Sequence, residues 1–317
     1  MSSVTIYTPR KPSTAANVGA GLYAAFLAGR SPHTLRAYGA DLEVFAAYLG
    51  DPGPGAALSR LIRLPAGEGN GVLLAYRAHM IDAGLTPATI NRRLAAIRSA
   101  LKLARTLGLT SWAPEIRGLK VEAYRDTTGP GLAGTRAMLA RAQAQTPLKA
   151  ARDTALVRLM FDLGLRRGEV TGLDLEDLEP TERRLWITGK GRAQKEARTL
   201  PEPTLAALTA WVDVRAHVVP LEQKAMFVGL AGRVRGQRLT GRGLYHVIAA
   251  LGAAVGLKTR PHGLRHASIT AALDANNGDV RAVQLHARHA DPQTTMRYDD
   301  NRQDLAGRVA ASLANVL

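Results

Sequence analysis

Along the first hundred positions, apolar residues recur at spacings of three and four, the period of a helix that buries one face. In SPHTLRAYGADLEVFAAYLG, Leu35, Tyr38, Leu42, Phe45 and Leu49 share such a face. Ser31 suits the N-cap and Pro32 the first helical position, and the DPGPGA run ends the helix. A second start stands in TPATINRRLAAIRSALKLARTLG, where Thr86 and Pro87 open a helix buried along Ile90, Leu94, Ile97 and Leu101. This pattern predicts a small helical domain over residues 16–112. Residues 1–15, polar and carrying Pro9 and Pro12, are expected to form a disordered lead-in.

The period fails in SWAPEIRGLKVEAYRDTTGPG, which reads as a linker over residues 113–130. Beyond it, ARDTALVRLMFDLGL restores a helical pattern. RRLWITGKGRAQKEARTLP predicts two strands about a tight turn supplied by Gly189 and Gly191. Helices follow to the end. The expected fold is mainly α, with a second, mostly helical domain at 131–317 that carries a small antiparallel β-sheet.

Composition sharpens this picture. At 317 residues with 46% hydrophobic side chains, the chain can fill two cores. The 42 Lys and Arg outnumber 26 acids, a formal charge of +16, which points to a polyanionic partner and first to nucleic acid. Arg98, Lys102 and Arg105 form a stripe beside the buried face of the second helix, and Arg92 and Arg93 precede it. A stripe of this kind is ordinarily a solvated face; in a chain this basic, all five are candidates for phosphate contact. No cysteine is present, which excludes disulfides, thiolate metal sites and cysteine nucleophiles. The N-terminal stretch lacks the apolar core of a signal peptide, and a cytoplasmic, nucleoid-associated location is expected.

Candidate chemistry gathers in the second half, in GLRRGEV, GKGRAQKEART, RPHGLRHAS and LHARHADPQTTMRY. Singly, each residue has a bland reading: Arg166 and Arg167 capping carbonyls, Lys190 in an exposed turn, His262 and Arg265 on a solvated helix, Tyr298 half-buried. Four of the eight histidines fall between 262 and 289, yet Arg265 and Arg288 beside them would repel a cation, so a metal site is not expected. A phosphate site fits better, because arginines, a lysine and imidazoles can surround one phosphoryl group and stabilise charge on its oxygens. A tyrosine hydroxyl can then act as nucleophile and conserve the phosphoester bond without ATP or a cofactor.

The order of these residues resembles the tyrosine recombinase, or phage integrase, family. Arg166 and Glu169 match its GLR…E segment, Lys190 its GKG hairpin turn, His262, Arg265 and His266 its HxLRH box, and His289, Thr294, Thr295 and Tyr298 its GH…TT…Y box. SPHTLRAYGADL and TPATINRRLAAIRSAL look like helices of the family's four-helix-type, SAM-like core-binding domain, so the resemblance covers the chain from about residue 17. It departs where the family has Leu-Leu-Gly and this chain has His286, Ala287 and Arg288. His286 thereby rivals His289, as Arg167 rivals Arg166 and Lys195 rivals Lys190, with the family register favouring His289, Arg166 and Lys190. The resemblance implies Tyr298 as nucleophile forming a 3′-phosphotyrosyl link, Arg166, Arg265 and His289 on the phosphate, Lys190 as general acid and His262 relaying the tyrosine proton. Glu169 and His266 support them. It further implies double-stranded DNA as partner, and a tetramer on two sites with the tail helix at 303–317 docking in trans along Leu305, Val309, Leu313 and Val316. Alternatives are a type IB topoisomerase-like relaxing enzyme and a DNA-binding protein without catalysis.

Overall fold

The structure, a computed structural model, describes residues 15–28, 32–120, 129–189, 194–220, 222–296, 298 and 305–315. Its contacts divide the chain into two compact units, Met1–Tyr124 and Arg125–Leu317. Ser31, Lys190 and Gly191, the lead-in at 1–14 and Val316 lie outside the described residues.

In the first unit five helices are described: α1 (Ala15–Leu27), α2 (Pro32–Leu49), α3 (Pro54–Arg63), α4 (Ala66–Asp82) and α5 (Pro87–Thr106). Helix α5 starts where its sequence predicts, with Thr86 Oγ1 accepting from the Thr89 N–H at 3.4 Å and Pro87 in the first turn. Its predicted face is buried: Ile90, Leu94, Ile97 and Leu101 are each at most 1% exposed. They join Leu42 and Phe45 of α2 and Tyr76 of α4 in one core. On the neighbouring face, Arg92 donates to buried Asp41 at 2.8 Å and Arg93 approaches the same carboxylate at 3.8 Å, tying α5 to α2.

Residues 113–119, which the sequence places in the linker, lie along this unit. Asn91 brackets Leu119 with two hydrogen bonds of 2.7 and 2.8 Å, and Arg77 and Arg98 donate to the carbonyls of Arg117 and Ile116. Trp112 sits so close to α4 that a Cβ on Gly69 would fall 2.4 Å from its ring.

The second unit opens with α6 (Gly131–Gln143), α7 (Pro147–Asp162) and the short α8 (Arg167–Gly172). The strands β1 (Leu178–Glu179), β2 (Arg184–Thr188) and β3 (Lys195–Thr199) form an antiparallel sheet in that order. In register, Leu185 faces Arg198 and Thr188 faces Lys195; Leu185 and Ile187 turn inward and are at most 1% exposed. Then come α9 (Glu202–Ala216), α10 (Gly241–Ala253), α11 (Pro261–Ala275), α12 (Val280–Ala287), α13 (Pro292–Met296) and α14 (Leu305–Ala314). Leu156, Leu159 and Met160 of α7, Trp211 of α9, Leu244 and Ile248 of α10 and Leu264 of α11 share the main core. A smaller cluster of Ile269, Leu273, Val283 and Ala287 joins α11 to α12, with Tyr298 against it. Among the described residues no helix is long and apolar enough to cross a membrane.

Candidate active site

Three chain segments converge on one place. The first is the turn from α7 to α8. Gly164 adopts φ +57°, a left-handed conformation that an L side chain resists; its carbonyl is thereby available to a guanidinium. Arg166 follows as the N-cap of α8. The Glu169 carboxylate reaches back three residues, accepting the Arg166 backbone N–H at 2.7 Å and its Nη1 at 2.9 Å. One carboxylate thus fixes both the start of the helix and the direction of the arginine.

The second segment is the start of α11. Pro261 occupies its first turn, and the spacing of His262, Arg265 and His266 places all three on adjoining faces. His262 is exposed, whereas Arg265 and His266 are only 3% and 8% exposed. The Arg265 guanidinium donates to the carbonyls of Gly164 and Ala287 and contacts His289 Nε2 at 3.0 Å. Burial, and then the neighbouring Arg166, bring its pKa down to about 10, which still leaves it charged at neutral pH.

The third segment runs from α12 to Tyr298. Asp279 caps α12 by accepting from the Ala282 N–H at 2.9 Å, and the helix ends at Arg288 in the left-handed conformation, φ 53° and ψ 47°. This is the position where the resembled family has glycine, and the arginine takes the backbone shape that glycine would favour. The Arg288 guanidinium pairs with Glu169, and its carbonyl accepts from Arg166 Nη2 at 3.2 Å.

The turn delivers His289, 9% exposed, beneath the site. Its Nδ1 lies 2.9 Å from Thr295 Oγ1. A guanidinium can only donate, so Nε2 accepts from Arg265 and the imidazole proton resides on Nδ1, directed at Thr295. Burial and then Arg265, Arg166 and Arg288 hold the imidazole down to about 4. Tyr298 packs its ring 4.8 Å from that of His266 and 5.8 Å from that of His289.

Arg166, His262, Arg265, His289 and Tyr298 accordingly line one open cleft of about 650 Å³, together with Arg167, Tyr245, Arg260 and Thr294. Glu169 and His266 stand behind it, the latter with Nδ1 3.4 Å from Thr270 Oγ1. The cleft is cationic, open to solvent and furnished with the hydroxyls of Tyr298, Tyr245 and Thr294, a surface suited to a phosphodiester. Among the described residues no three His, Cys, Asp or Glu side chains converge as metal ligands.

The rival positions lie elsewhere or differ in partners. His286 faces Ser268 Oγ at 3.3 Å and Gly164, and burial followed by Arg288 lowers its pKa. Lys195 holds buried Asp177 at 2.5 Å, a contact that raises its pKa and pins β3 to the turn at Leu175–Asp177. Arg167 lines the same cleft as Arg166 but lies beside Gly241. Of the five basic residues expected to contact phosphate, Lys102 and Arg105 are exposed, while Arg92, Arg93 and Arg98 are engaged by Asp41 and the Ile116 carbonyl. Sequence reasoning noticed Arg288 as a charge that would repel a metal ion and as a departure from glycine. Its pairing with Glu169, 119 positions away, carries no local signal.

The chain is similar to known proteins over most of its length. Residues 136–304 match the family described as the phage integrase family, and residues 22–106 match its N-terminal SAM-like domain. A tyrosine recombinase of Synechococcus elongatus is 41% identical over 293 residues, covering 91% of each chain. One from Synechocystis is 37% identical, covering 91% of this chain and 92% of that one. The tyrosine recombinase XerC of Mycobacterium tuberculosis is 34% identical over 87% of this chain and 90% of its own. Among solved structures, the Tn1549 transposon integrase in complex with transposon right end DNA superposes with a TM-score of 0.69 at 15% identity, covering 94% of this chain and 99% of that one. The recombinase XerH bound to palindromic difH substrate gives 0.67 at 20% identity, covering 94% and 85%. The chain therefore belongs to the phage integrase family and is a tyrosine-type site-specific DNA recombinase.

Proposed function

We propose that Tyr298 is the nucleophile of this recombinase and that the cleft around it holds the scissile phosphodiester of double-stranded DNA. The observation that carries this reading is the placement of the Tyr298 ring against His266 and His289 in the cleft that Arg166, His262 and Arg265 also line. In this reading the tyrosine oxygen attacks phosphorus, the bond to the 5′ oxygen breaks as Lys190, the general acid that the family resemblance implies, gives that oxygen its proton, and the strand's 3′ end is left as a phosphotyrosine. Arg166 and Arg265 stabilise charge on the non-bridging oxygens. His262, exposed at the cleft wall, is the group able to take the tyrosine proton. His289 acts as a neutral imidazole, since its depressed pKa leaves it uncharged at neutral pH. The energy of the broken ester is kept in the new one, so rejoining is the same step reversed.

Tyr298→Phe should bind duplex DNA nearly as tightly as the parent and form no covalent adduct on a nicked suicide substrate, read by denaturing gel. An adduct formed by the Phe variant would remove Tyr298 from the role.

The tail helix supports a second element of the proposal, assembly on paired sites. In α14, Leu313 is 63% exposed, an apolar side chain available to a neighbouring copy. Deleting the residues after Asn301 is expected to abolish cooperative binding to two recombination sites in a gel-shift titration, while single-site binding persists. Unchanged cooperativity would discard docking through this helix.

A further inference from the structure

A second cleft of about 300 Å³ has a lining that includes Arg166, Gly189, Glu196, Arg198, Gln284 and Arg288 but not Tyr298. Its guanidiniums are not used up by the protein. The Arg288 side chain is only 7% exposed and its Nη2 holds Glu169, yet its Nε and Nη1 are buried without a hydrogen-bond partner. Arg198 of β3 spends Nη2 on Glu196 at 2.7 Å and on the Leu285 carbonyl at 3.3 Å, and its buried Nε likewise has no partner. Buried donors of this kind are costly when left unmade, and a bound ion is one way in which they are completed.

Charge points the same way. Glu169 and Glu196 face the guanidiniums of Arg166, Arg198 and Arg288, with Arg265 close behind, so the positive groups outnumber the negative ones. The occupant is an anion with several acceptor oxygens. Because Arg166 and His289 line both clefts, an anion here sits one short step from the group facing Tyr298, and successive phosphates of a DNA strand are separated by such a step.

We infer that the Arg198–Arg288 cleft is a second phosphate subsite, which grips the phosphodiester next to the scissile one on the attacked strand. It rests on the reading of the first cleft as the cleavage site. Arg288 then has two functions: through Glu169 it steadies Arg166, and through Nε and Nη1 it meets the adjacent phosphate.

The test uses the full-length protein on nicked suicide substrates that carry one neutral methylphosphonate at a time around the cleavage position. Duplex binding and covalent trapping are both read. With the parent protein, one position adjacent to the scissile phosphate should weaken binding about tenfold when neutralised, as loss of a charge-assisted contact requires. In Arg198→Gln and in Arg288→Gly, whose backbone suits the left-handed turn, that same replacement should change binding less than twofold, while every other position keeps its parental effect. Loss of sensitivity at all positions alike, or at none, overturns the subsite.

Titrating the DNA-free protein with inorganic phosphate separates the two sources of anion. Phosphate binding abolished by Arg198→Gln, with no methylphosphonate position affected, assigns the cleft to a free anion and overturns the DNA assignment. If the parent protein forms no adduct at all, the reading of Tyr298 fails; if adducts form but no position is selectively silenced, only the subsite fails.

Discussion

Buried between Arg265 and Thr295, the His289 imidazole is held down to about 4, against 6.5 for a free histidine. Between those values the unfolded chain binds a proton that the folded chain refuses, so stability falls as the pH drops from about 6.5 towards 4. His286, also lowered by burial, adds to the same slope. Chemical denaturation across this range should show folding free energy rising with pH, and His289→Gln should flatten part of that rise; an unchanged slope would contradict the buried neutral imidazole. Residue by residue, the sequence made the HGLRH box legible through its helical spacing, and His289 and Tyr298 through a local nine-residue interval that resembles the family's. It could not make Arg288 or Arg198 legible. Their partners, Glu169 and the Leu285 carbonyl, lie 119 and 87 positions away, and only folding brings them near.

Among the elements, those with a long periodic face were readable and those made by single contacts were not. Helix α5 carries its own start signal and a four-residue buried stripe. By contrast β1 is two residues long and exists through its pairing of Leu178 with Leu185. The stretch at 113–119 looked like linker because Pro and Gly break its pattern, yet Asn91 fastens it to α5. The α7–α8 turn is the element on which the site depends most. Its Gly164 has φ +57°, and a Cβ there would lie 3.1 Å from His286 Nε2. Gly164→Ala is therefore expected to cost about 1–2 kcal/mol from the backbone alone, lowering the melting temperature by several degrees. It should also slow covalent adduct formation, since the displaced carbonyl is an anchor of Arg265. Parental stability and rate in this variant would show that the turn tolerates the side chain.

For the whole molecule, composition alone pointed to a polyanion through a charge of +16, and the two compact units each hold a core that shares no residue with the other. In the first unit Arg92 donates to Asp41 and Arg98 to the Ile116 carbonyl, while Arg93 Nε is buried without a hydrogen-bond partner; in the second unit Arg198 Nε and Arg288 Nε and Nη1 are likewise unspent. Charge counting could not see which donors stay unspent, because that depends on which acids and carbonyls fold against each arginine.

The contact of Tyr298 with His266 and His289 of its own chain sets a rule of inheritance for mixed assemblies. With Tyr298 read as the nucleophile, a subunit that lacks the phenol is expected not to borrow one from a neighbour, and a subunit with a damaged guanidinium cradle is expected not to lend its phenol out. Equimolar Tyr298→Phe and Arg265→Lys proteins, each inert alone, should remain inert when blended on one duplex substrate. Any strand cut by the blend would mean that the phenol had crossed between chains.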